Sequence, residues 1–206
     1  MERAKHFSMI RSFQAADWLT LANACSGVGA IFAVMRYLQE TDTRFLLLAC
    51  ALIPVALVFD VLDGRVARSR QQTSLLGREL DSLADVISFG VAPAGIAYAA
   101  GMQGGWDGLV LMYFVACGVS RLARYNVTAA ALSEGSDKVK YFEGTPIPTS
   151  IVLVLVIAIA AFQGAVGDRL WLSVVQLGPW QFHPLVVLFA ISGSLMISRT
   201  LHIPKL

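Results

Sequence analysis

Charged residues are scarce in this sequence. Asp, Glu, Lys and Arg make up 15% of the 206 residues, whereas a soluble globular domain averages about 25%. So few charges cannot cover the surface of a water-soluble globule. The hydrophobic fraction of 56% and the mean hydropathy of +0.65 indicate helices in a lipid bilayer instead. The net charge of +2 is also small, which argues against nucleic acid as a partner.

Cysteine is equally rare, and its spacing excludes a disulfide framework. Cys25, Cys50 and Cys117 lie in apolar stretches without a CxxC pair, so we interpret them as small core residues. A cleavable signal peptide is not expected, because the charged segment Met1–Asp17 lacks an apolar stretch. The sequence shows no internal repeat and no low-complexity tract.

Long apolar runs, in contrast, are abundant. Six of them have roughly the 20 residues that a helix needs to cross a bilayer. We therefore predict an all-α integral membrane protein with six transmembrane helices in a single domain, residues 1–206. The predicted spans are Leu19–Leu38, Phe45–Val66, Leu80–Ala100, Gly108–Tyr125, Ile147–Ala165 and Pro184–Leu201.

The basic residues predict the orientation of these spans. Of the 16 Lys and Arg residues, all but Arg36, Arg44 and Arg169 fall at the termini, in the connections after spans 2 and 4, or at the span ends that border them. The positive-inside rule then places both termini and those connections on the cytoplasmic side of the cell inner membrane or its equivalent. Lys5–Ala16 has apolar residues at helical spacing, which indicates an amphipathic surface helix. A frayed tail is the alternative.

The most informative feature is a set of four aspartates in spans 2 and 3. Asp60 and Asp63 are three residues apart, and Asp81 and Asp85 are four apart, so each pair shares a helix face. Ionised carboxylates are costly at bilayer depth and indicate a functional site. Oxygen ligands without His or Cys favour Mg²⁺ or Mn²⁺. We therefore expect two such ions, in an arrangement suited to phosphoryl displacement at a pyrophosphate.

Small and basic residues accompany the aspartates at helical spacing. Gly64 and Ala67 leave room for a ligand against the backbone of span 2, and Arg68 offers a fork for phosphate oxygens. Gly77 lies one turn before Asp81. The alternative interpretation is structural ion pairing of the acids with nearby arginines, namely Arg65, Arg68, Arg70 and Arg78.

The complete pattern, D-x2-D-G-x2-A-R-x8-G-x3-D-x3-D, resembles the signature of the CDP-alcohol phosphotransferases. These are six-helix membrane enzymes that move a phosphatidyl-type group from a CDP-linked lipid to an alcohol. The resemblance implies that Asp60 and Asp81 contact both metal ions, Asp63 the first and Asp85 the second. It also implies that Asp85 is the general base for the acceptor hydroxyl.

The resemblance further implies a CDP site formed by the first three spans. The segment that enters span 1 is similar to the lining of the cytidine pocket in relatives, and Gly64, Arg68 and Ser74 are expected to hold the pyrophosphate and ribose. The expected CDP-binding residues are Asp17, Trp18, Leu19, Thr20, Asn23, Gly64, Ala67, Arg68, Ser74 and Gly77.

Beyond the motif, the branch of the family is indicated by three segments and by the Asn23-x3-Gly27 pair; the segments are Glu79–Pro93, Ser120–Val127 and Tyr141–Pro148. Together they are similar to the membrane-integral phosphatidylserine synthases. The substrates implied are CDP-diacylglycerol and L-serine. Arg121 and Arg124, one turn apart, suit the serine carboxylate, and Glu143 suits its ammonium group. Membrane anchoring is the alternative for the arginines, and a solvated loop position is the alternative for Glu143. Asn126 is a further candidate for acceptor binding or a helix C-terminal residue.

Other readings of the same residues remain open. Glycerol 3-phosphate or an inositol phosphate is an alternative acceptor, although a dianion calls for a denser basic cluster. A divalent-cation transporter is a second class, but spans 1, 5 and 6 offer few polar groups along a path. A catalytically inactive scaffold conflicts with the complete motif. The family resemblance also implies a homodimer embedded in membrane lipid.

Overall fold

The protein is described by a computed structural model that covers residues 13–69, 75–133, 141–198 and 202–204. Helices dominate these residues, as predicted. The helices are α1 (Ala15–Glu40), α2 (Thr43–Ser69), α3 (Leu75–Asp85), α4 (Ala92–Ala100), α5 (Gly105–Ser133), α6 (Ile151–Phe162) and α7 (Val187–Ile197).

Four helical stretches in the described part of the chain are long and apolar enough to cross a membrane. They are Ala15–Glu40, Thr43–Ser69, Leu76–Ala100 and Gly105–Thr128, and they contain the first four predicted spans. The regions of the fifth and sixth spans form shorter apolar helices, Ile147–Phe162 and Pro184–Ile197. The protein is therefore membrane-integral with four candidate spans, and the six-span arrangement stays a prediction.

Local backbone geometry explains why the last two helices are shorter than predicted. Past Phe162 the chain turns through Gly164, whose φ is +69°, and the N–H of Ala165 bonds the carbonyl of Ala160 at 2.8 Å. A glycine with positive φ is a frequent helix terminator. The last helix ends at Ile197 because the backbone of Ser198 is extended, with a ψ of 132°, and so cannot continue the helix.

Two other helix boundaries differ from the expectations. Helix α5 continues to Ser133, eight residues beyond the predicted end of span 4 at Tyr125, so it includes part of the polar connection. Helix α1 begins at Ala15, and residues 5–12 of the predicted amphipathic segment lie outside the described residues.

The third span is continuous but irregular. Between α3 and α4, Val86–Val91 form a π-helical segment, a geometry that is rare and occurs often at functional sites. The segment ends just before Pro93, which lies in the first turn of α4 and so needs no backbone N–H. The irregularity therefore directly follows Asp85.

Short strands were not predicted, and the all-α expectation needs this correction. Strand β1 (Tyr141–Glu143) pairs with β4 (His202–Pro204), while β2 (Val175–Leu177) and β3 (Trp180–Phe182) form a hairpin. The turn of the hairpin is Gly178–Pro179, with Gly178 at a φ of +62°. A glycine at the first central position is typical of tight hairpin turns.

The core lies between the helices and is built largely from small and aliphatic side chains. Helix α1 packs mainly against α2, and both bury alanines, including Ala30 on α1 and Ala49 on α2. Small residues permit the close helix approach that van der Waals packing in lipid requires. Helices α5 and α7 meet through Phe114 and Phe189, whose rings pack edge to face with centroids 5.2 Å apart.

Candidate active site and acidic metal centre

The structure brings three of the four predicted aspartates together. Asp60 and Asp63 are one turn apart on α2, and Asp81 on α3 faces them, so that one carboxylate oxygen from each lies within 4.8 Å of the others. Asp63 is buried, whereas Asp60 and Asp81 are partly exposed. The i,i+3 spacing on α2 accounts for the shared direction of the first two side chains.

Asp85 lies beside this cluster without being part of it. Its carboxylate is buried and interacts electrostatically with Asp60 and Asp81. The amide Nδ2 of Asn23 donates a hydrogen bond to Asp85 Oδ1 at 3.4 Å. Asp85 thus adds a fourth carboxyl group at the edge of the cluster, one turn beyond Asp81.

The chemistry of the cluster fits a divalent cation. Asp81 Oδ1 is buried without a hydrogen-bond partner in the described part of the chain. Hard carboxylate oxygens in this number are suitable ligands for Mg²⁺ or Mn²⁺. Among the described residues, Arg36 forms an ion pair with Glu40, and His183 lies close to Asp107. Structural pairing of these aspartates with Arg65, Arg68 or Arg78 is not observed there.

The residues that enter α1 have different environments. Asp17 is buried and caps its own helix by accepting a hydrogen bond from the N–H of Gln14 at 2.8 Å. Trp18 is 55% exposed and packs edge to face on Phe13, whereas Leu19 is partly buried. The hydroxyl of Thr20 donates to Asp63 Oδ2 at 2.6 Å, which connects this segment directly to the acidic cluster.

The small residues of α2 leave open space next to the cluster. Gly64 follows Asp60 by four residues, so it lies on the same helix face. Among the described residues, a Cβ at Gly64 would have only the tip of Arg68 within 4 Å, at 3.9 Å. Ala67 and Gly77 are partly exposed, and Ser74 lies outside the described residues.

The two arginines predicted for the acceptor lie on α5 with unsatisfied donors. Arg121 Nε and Arg124 Nη2 are buried without hydrogen-bond partners in the described structure. The guanidinium carbon of Arg121 lies 5.9 Å from the ring centroid of Tyr125. The positive charge of Arg121 also interacts with Asp85, which brings an anion-binding group near the acidic cluster.

Asn126 has a protein environment that the sequence did not predict. It lies within α5 rather than at its C-terminus, and its Nδ2 donates to Ser82 Oγ at 3.0 Å and to Glu79 Oε2 at 3.3 Å. These bonds connect α5 to the face of α3 that flanks Asp81. Glu143 belongs to β1, but its side chain is outside the described structure.

Sequence reasoning missed Glu79, Ser82 and Ser88 as parts of this region. Ser88 Oγ donates to the backbone carbonyl of Asn23 at 2.9 Å. The sequence indicates these residues only by their short distance along the chain from the predicted aspartates. Glu79 and Ser82 flank Asp81, and Ser88 follows Asp85 by three residues. Their partners on α1 and α5 are distant in sequence, so the pairings could not be read from spacing.

Comparison with known proteins extends the similarity beyond the motif. The chain is 45% identical over 203 residues to a CDP-diacylglycerol–serine O-phosphatidyltransferase of Saccharomyces cerevisiae, an alignment that covers 97% of this chain and 74% of the relative. It is 43% identical over 128 residues to the Helicobacter pylori protein of the same name, covering 61% of this chain and 52% of that relative.

An archaeal relative is also similar to this chain over most of its length. The chain is 39% identical over 141 residues to an archaetidylserine synthase of Methanothermobacter thermautotrophicus, covering 67% of this chain and 54% of that relative. The chain therefore spans about three quarters of the length of the yeast relative and about half that of the other two. The sequence model of the CDP-alcohol phosphatidyltransferase family matches residues 13–192. Together with the acidic centre on α2 and α3, this match shows that the chain belongs to the CDP-alcohol phosphatidyltransferase family.

Proposed function

We propose that this protein transfers a phosphatidyl group from CDP-diacylglycerol to L-serine, producing phosphatidylserine and CMP. The observation that carries the proposal is the convergence of Asp60, Asp63 and Asp81 within 4.8 Å, with Asp85 adjacent, in a chain of this family. The names of the relatives, which specify serine or archaetidylserine, support the choice of acceptor.

The acidic residues would hold two divalent cations, Mg²⁺ or Mn²⁺. We assign Asp60 and Asp81 to both ions, Asp63 to the first and Asp85 to the second, as the family resemblance implies. When bound, the cations supply positive charge that offsets the charge of the pyrophosphate and of the departing CMP. The carboxylates on α2 and α3 keep this charge at one end of the helices.

Nucleotide binding would use the open space beside the small residues of α2. Gly64 and Ala67 let a ligand lie against the helix backbone there. Arg68, which follows Ala67, can donate two parallel hydrogen bonds to phosphate oxygens of that ligand. We assign the remaining CDP contacts to the entrance of α1, to the connection between α2 and α3, and to the first turn of α3. These residues are Asp17, Trp18, Leu19, Ser74 and Gly77, with Thr20 and Asn23 treated in the next subsection.

Asp85 would accept the proton of the serine hydroxyl. The hydroxyl oxygen then forms a bond to the phosphorus that carries the diacylglycerol, and the bond from that phosphorus to the CMP oxygen breaks, so the electron pair leaves with CMP. Arg121 and Arg124 would bind the serine carboxylate through their unpaired N–H groups. Asn126 and Glu143 would complete the acceptor site, with Glu143 opposite the ammonium group.

We further propose one transmembrane domain of six spans over residues 1–206, which forms a homodimer. The distribution of Lys and Arg supports a cytoplasmic position for both termini and the active site, in the cell inner membrane or its equivalent. This placement leaves the acyl chains of the donor in the bilayer while CDP and serine arrive from water. Cysteine accessibility to a membrane-impermeant reagent, at single sites on each side, tests the orientation.

The deciding experiment measures CMP release by the purified full chain supplied with CDP-diacylglycerol, Mn²⁺ and one acceptor at a time. We expect rapid release with L-serine and slow release with glycerol 3-phosphate or an inositol phosphate. Asp85→Asn is the matched control, because it should abolish transfer yet keep CDP-diacylglycerol binding. Faster release with glycerol 3-phosphate would overturn the serine assignment. Uptake of Mn²⁺ into proteoliposomes without CMP release would favour a transporter.

A further inference from the structure

One face of α1 contacts carboxylates on α2 and on α3. Thr20 and Asn23 are three residues apart, so they project from the same face. Thr20 Oγ1 donates to Asp63 Oδ2 on α2 at 2.6 Å, and Asn23 Nδ2 donates to Asp85 Oδ1 at the end of α3 at 3.4 Å. All four side chains are buried, with Thr20 4% and Asn23 0% exposed.

The Thr20 hydroxyl donates its proton to the Asp63 carboxylate rather than to the carbonyl of Ala16. A hydroxyl has one proton to donate, and Thr20 Oγ1 has two acceptors in reach, Asp63 Oδ2 at 2.6 Å and the carbonyl of Ala16 at 3.2 Å. The shorter bond to the charged acceptor is the stronger one. The bond therefore occupies one side of Asp63 Oδ2 and restricts the rotation of the Asp63 side chain.

Asn23 is held in place by the π-helical segment. Ser88 Oγ donates to the Asn23 carbonyl at 2.9 Å. One turn later on α1, Gly27 allows the two backbones to approach so closely that a Cβ there would lie 2.5 Å from Ser88 Oγ. The segment that follows Asp85 is thus fixed against α1, with the Asn23 amide directed at the Asp85 carboxylate.

We propose that Thr20 and Asn23 are positioning residues that hold Asp63 and Asp85 in the geometry needed for divalent-cation binding. In this role they act through the carboxylates, in place of the direct CDP contacts that the family resemblance implies for both residues. Partners that orient metal ligands typically change metal affinity by about 10- to 100-fold when they are removed. The inference rests on the proposed function only in taking the acidic cluster as a metal site, and it is independent of the acceptor.

The test compares Thr20→Val, which removes the hydroxyl at nearly constant volume, with Thr20→Ser, which retains it. Mn²⁺ binding to the purified full chain is measured without nucleotide, by the electron paramagnetic resonance signal of free Mn²⁺. We expect Thr20→Val to weaken Mn²⁺ binding about tenfold or more and Thr20→Ser to restore most of it. CMP affinity at saturating Mn²⁺ should stay unchanged in both variants.

Ser26→Ala is the matched control on the same helix. In the described part of the chain its hydroxyl bonds only the carbonyl of Ala22, within α1, so its removal should leave Mn²⁺ affinity unchanged. A second measurement combines Thr20→Val with Asp63→Asn. If Thr20 acts through Asp63, the double variant should bind Mn²⁺ no more weakly than Asp63→Asn alone, because residues that act as a unit are not additive.

Two results would overturn the inference. One is a Thr20→Val protein that binds Mn²⁺ as the parent does but has lost affinity for CMP, since that identifies Thr20 as a nucleotide contact. The other is full additivity in the double variant. A failure of the proposed serine transfer would give a different result. The parent would then bind Mn²⁺, and Thr20→Val would weaken that binding as expected, but no CMP would be released with serine.

The same measurements on Asn23→Ala extend the test to the second carboxylate and remain informative if Thr20→Val does not fold. We expect Mn²⁺ binding to weaken and the maximal rate of CMP release to fall, while the KM for CDP-diacylglycerol is retained. A raised KM for CDP-diacylglycerol with normal Mn²⁺ affinity would contradict the positioning role of Asn23.

Discussion

Asp107 and His183 form a buried pair in which Asp107 Oδ2 lies 2.6 Å from His183 Nδ1. The same carboxylate accepts hydrogen bonds from two backbone N–H groups, that of His183 at 2.8 Å and that of Gly104 at 2.9 Å. His183 directly precedes the short turn Pro184–Val186 that leads into α7. The pair therefore connects the beginning of α5 to the beginning of α7.

This pair is remote from the acidic centre. Asp107 and Asn126 are both on α5, 19 residues apart, which is about 28 Å along the helix. Asn126 contacts the face of α3 beside Asp81, so Asp107 lies towards the opposite end of the bundle. Asp107 was not among the residues predicted for the site, and its contacts indicate a role in stability rather than chemistry.

We predict that Asp107→Ala lowers the free energy of unfolding by about 3 kcal/mol or more, because it leaves buried N–H groups and the imidazole without their acceptor. Thermal unfolding in detergent measures the effect, and the rate of CMP release per folded molecule should be unchanged. The exposed Asp168 provides a control, since Asp168→Asn should leave the midpoint temperature of unfolding unaltered. An Asp107→Ala protein as stable as the parent would show that the pair contributes nothing.

A second prediction concerns the contact between α1 and the π-helical segment. In Gly27→Ala the new Cβ would lie 2.5 Å from Ser88 Oγ and 2.8 Å from Ser88 Cα. Because backbone must move, we expect a loss of about 1–3 kcal/mol in stability. Gly95→Ala is the control, because nothing lies within 4 Å of a Cβ at that position. Equal unfolding midpoints for the two variants would contradict the close packing.

Much of this architecture was predictable from the sequence, for physical reasons. Apolar length alone identifies a membrane helix, which is why the four long helical stretches contain the first four predicted spans. Helical periodicity places Asp60 and Asp63 on one face, and the cost of ionised carboxylates in lipid requires Asp81 to lie near them. The cluster within 4.8 Å agrees with that reasoning.

Contacts between distant residues were not predictable. Nothing in the spacing pairs Thr20 with Asp63 or Asn126 with Ser82, because each pair depends on how two helices are rotated and offset. The pairing of His183 with Asp107, 76 residues away, is a further contact of this kind.

The β2–β3 hairpin was missed although its sequence contains a signal. The Gly178–Pro179 dipeptide between Val175–Leu177 and Trp180–Phe182 is typical of a turn. The hairpin lies in the connection between predicted spans 5 and 6, for which no secondary structure was predicted.

The third prediction concerns the metal ligands. Asp60→Asn and Asp81→Asn each remove a charge assigned to both ions, so CMP release should vanish while the protein still folds. Asp63→Asn removes a ligand of one ion only, so raised Mn²⁺ should partly restore its activity. Mn²⁺ titrations of CMP release, with circular dichroism as a check on folding, measure both effects. Normal turnover in Asp81→Asn would refute the two-metal arrangement.

The last prediction concerns acceptor binding by Arg121. Its buried Nε has no hydrogen-bond partner in the described structure, and its charge interacts with Asp85. Arg121→Lys keeps the charge but loses the planar fork that suits a carboxylate. A charge-assisted hydrogen bond contributes about 1.5–3 kcal/mol, so the KM for L-serine should rise by about tenfold or more. The KM for CDP-diacylglycerol should change little.

Arg36→Lys is the matched control, because Arg36 pairs with Glu40 at the far end of α1 and should leave both KM values unchanged. Ethanolamine provides an independent check, since it keeps the hydroxyl and ammonium groups of serine but lacks the carboxylate. The parent enzyme should use ethanolamine poorly, and Arg121→Lys should reduce its advantage for serine over ethanolamine. If Arg121→Lys raises the KM for both acceptors equally, then Arg121 does not recognise the carboxylate and acts instead on Asp85 or on the packing of α5.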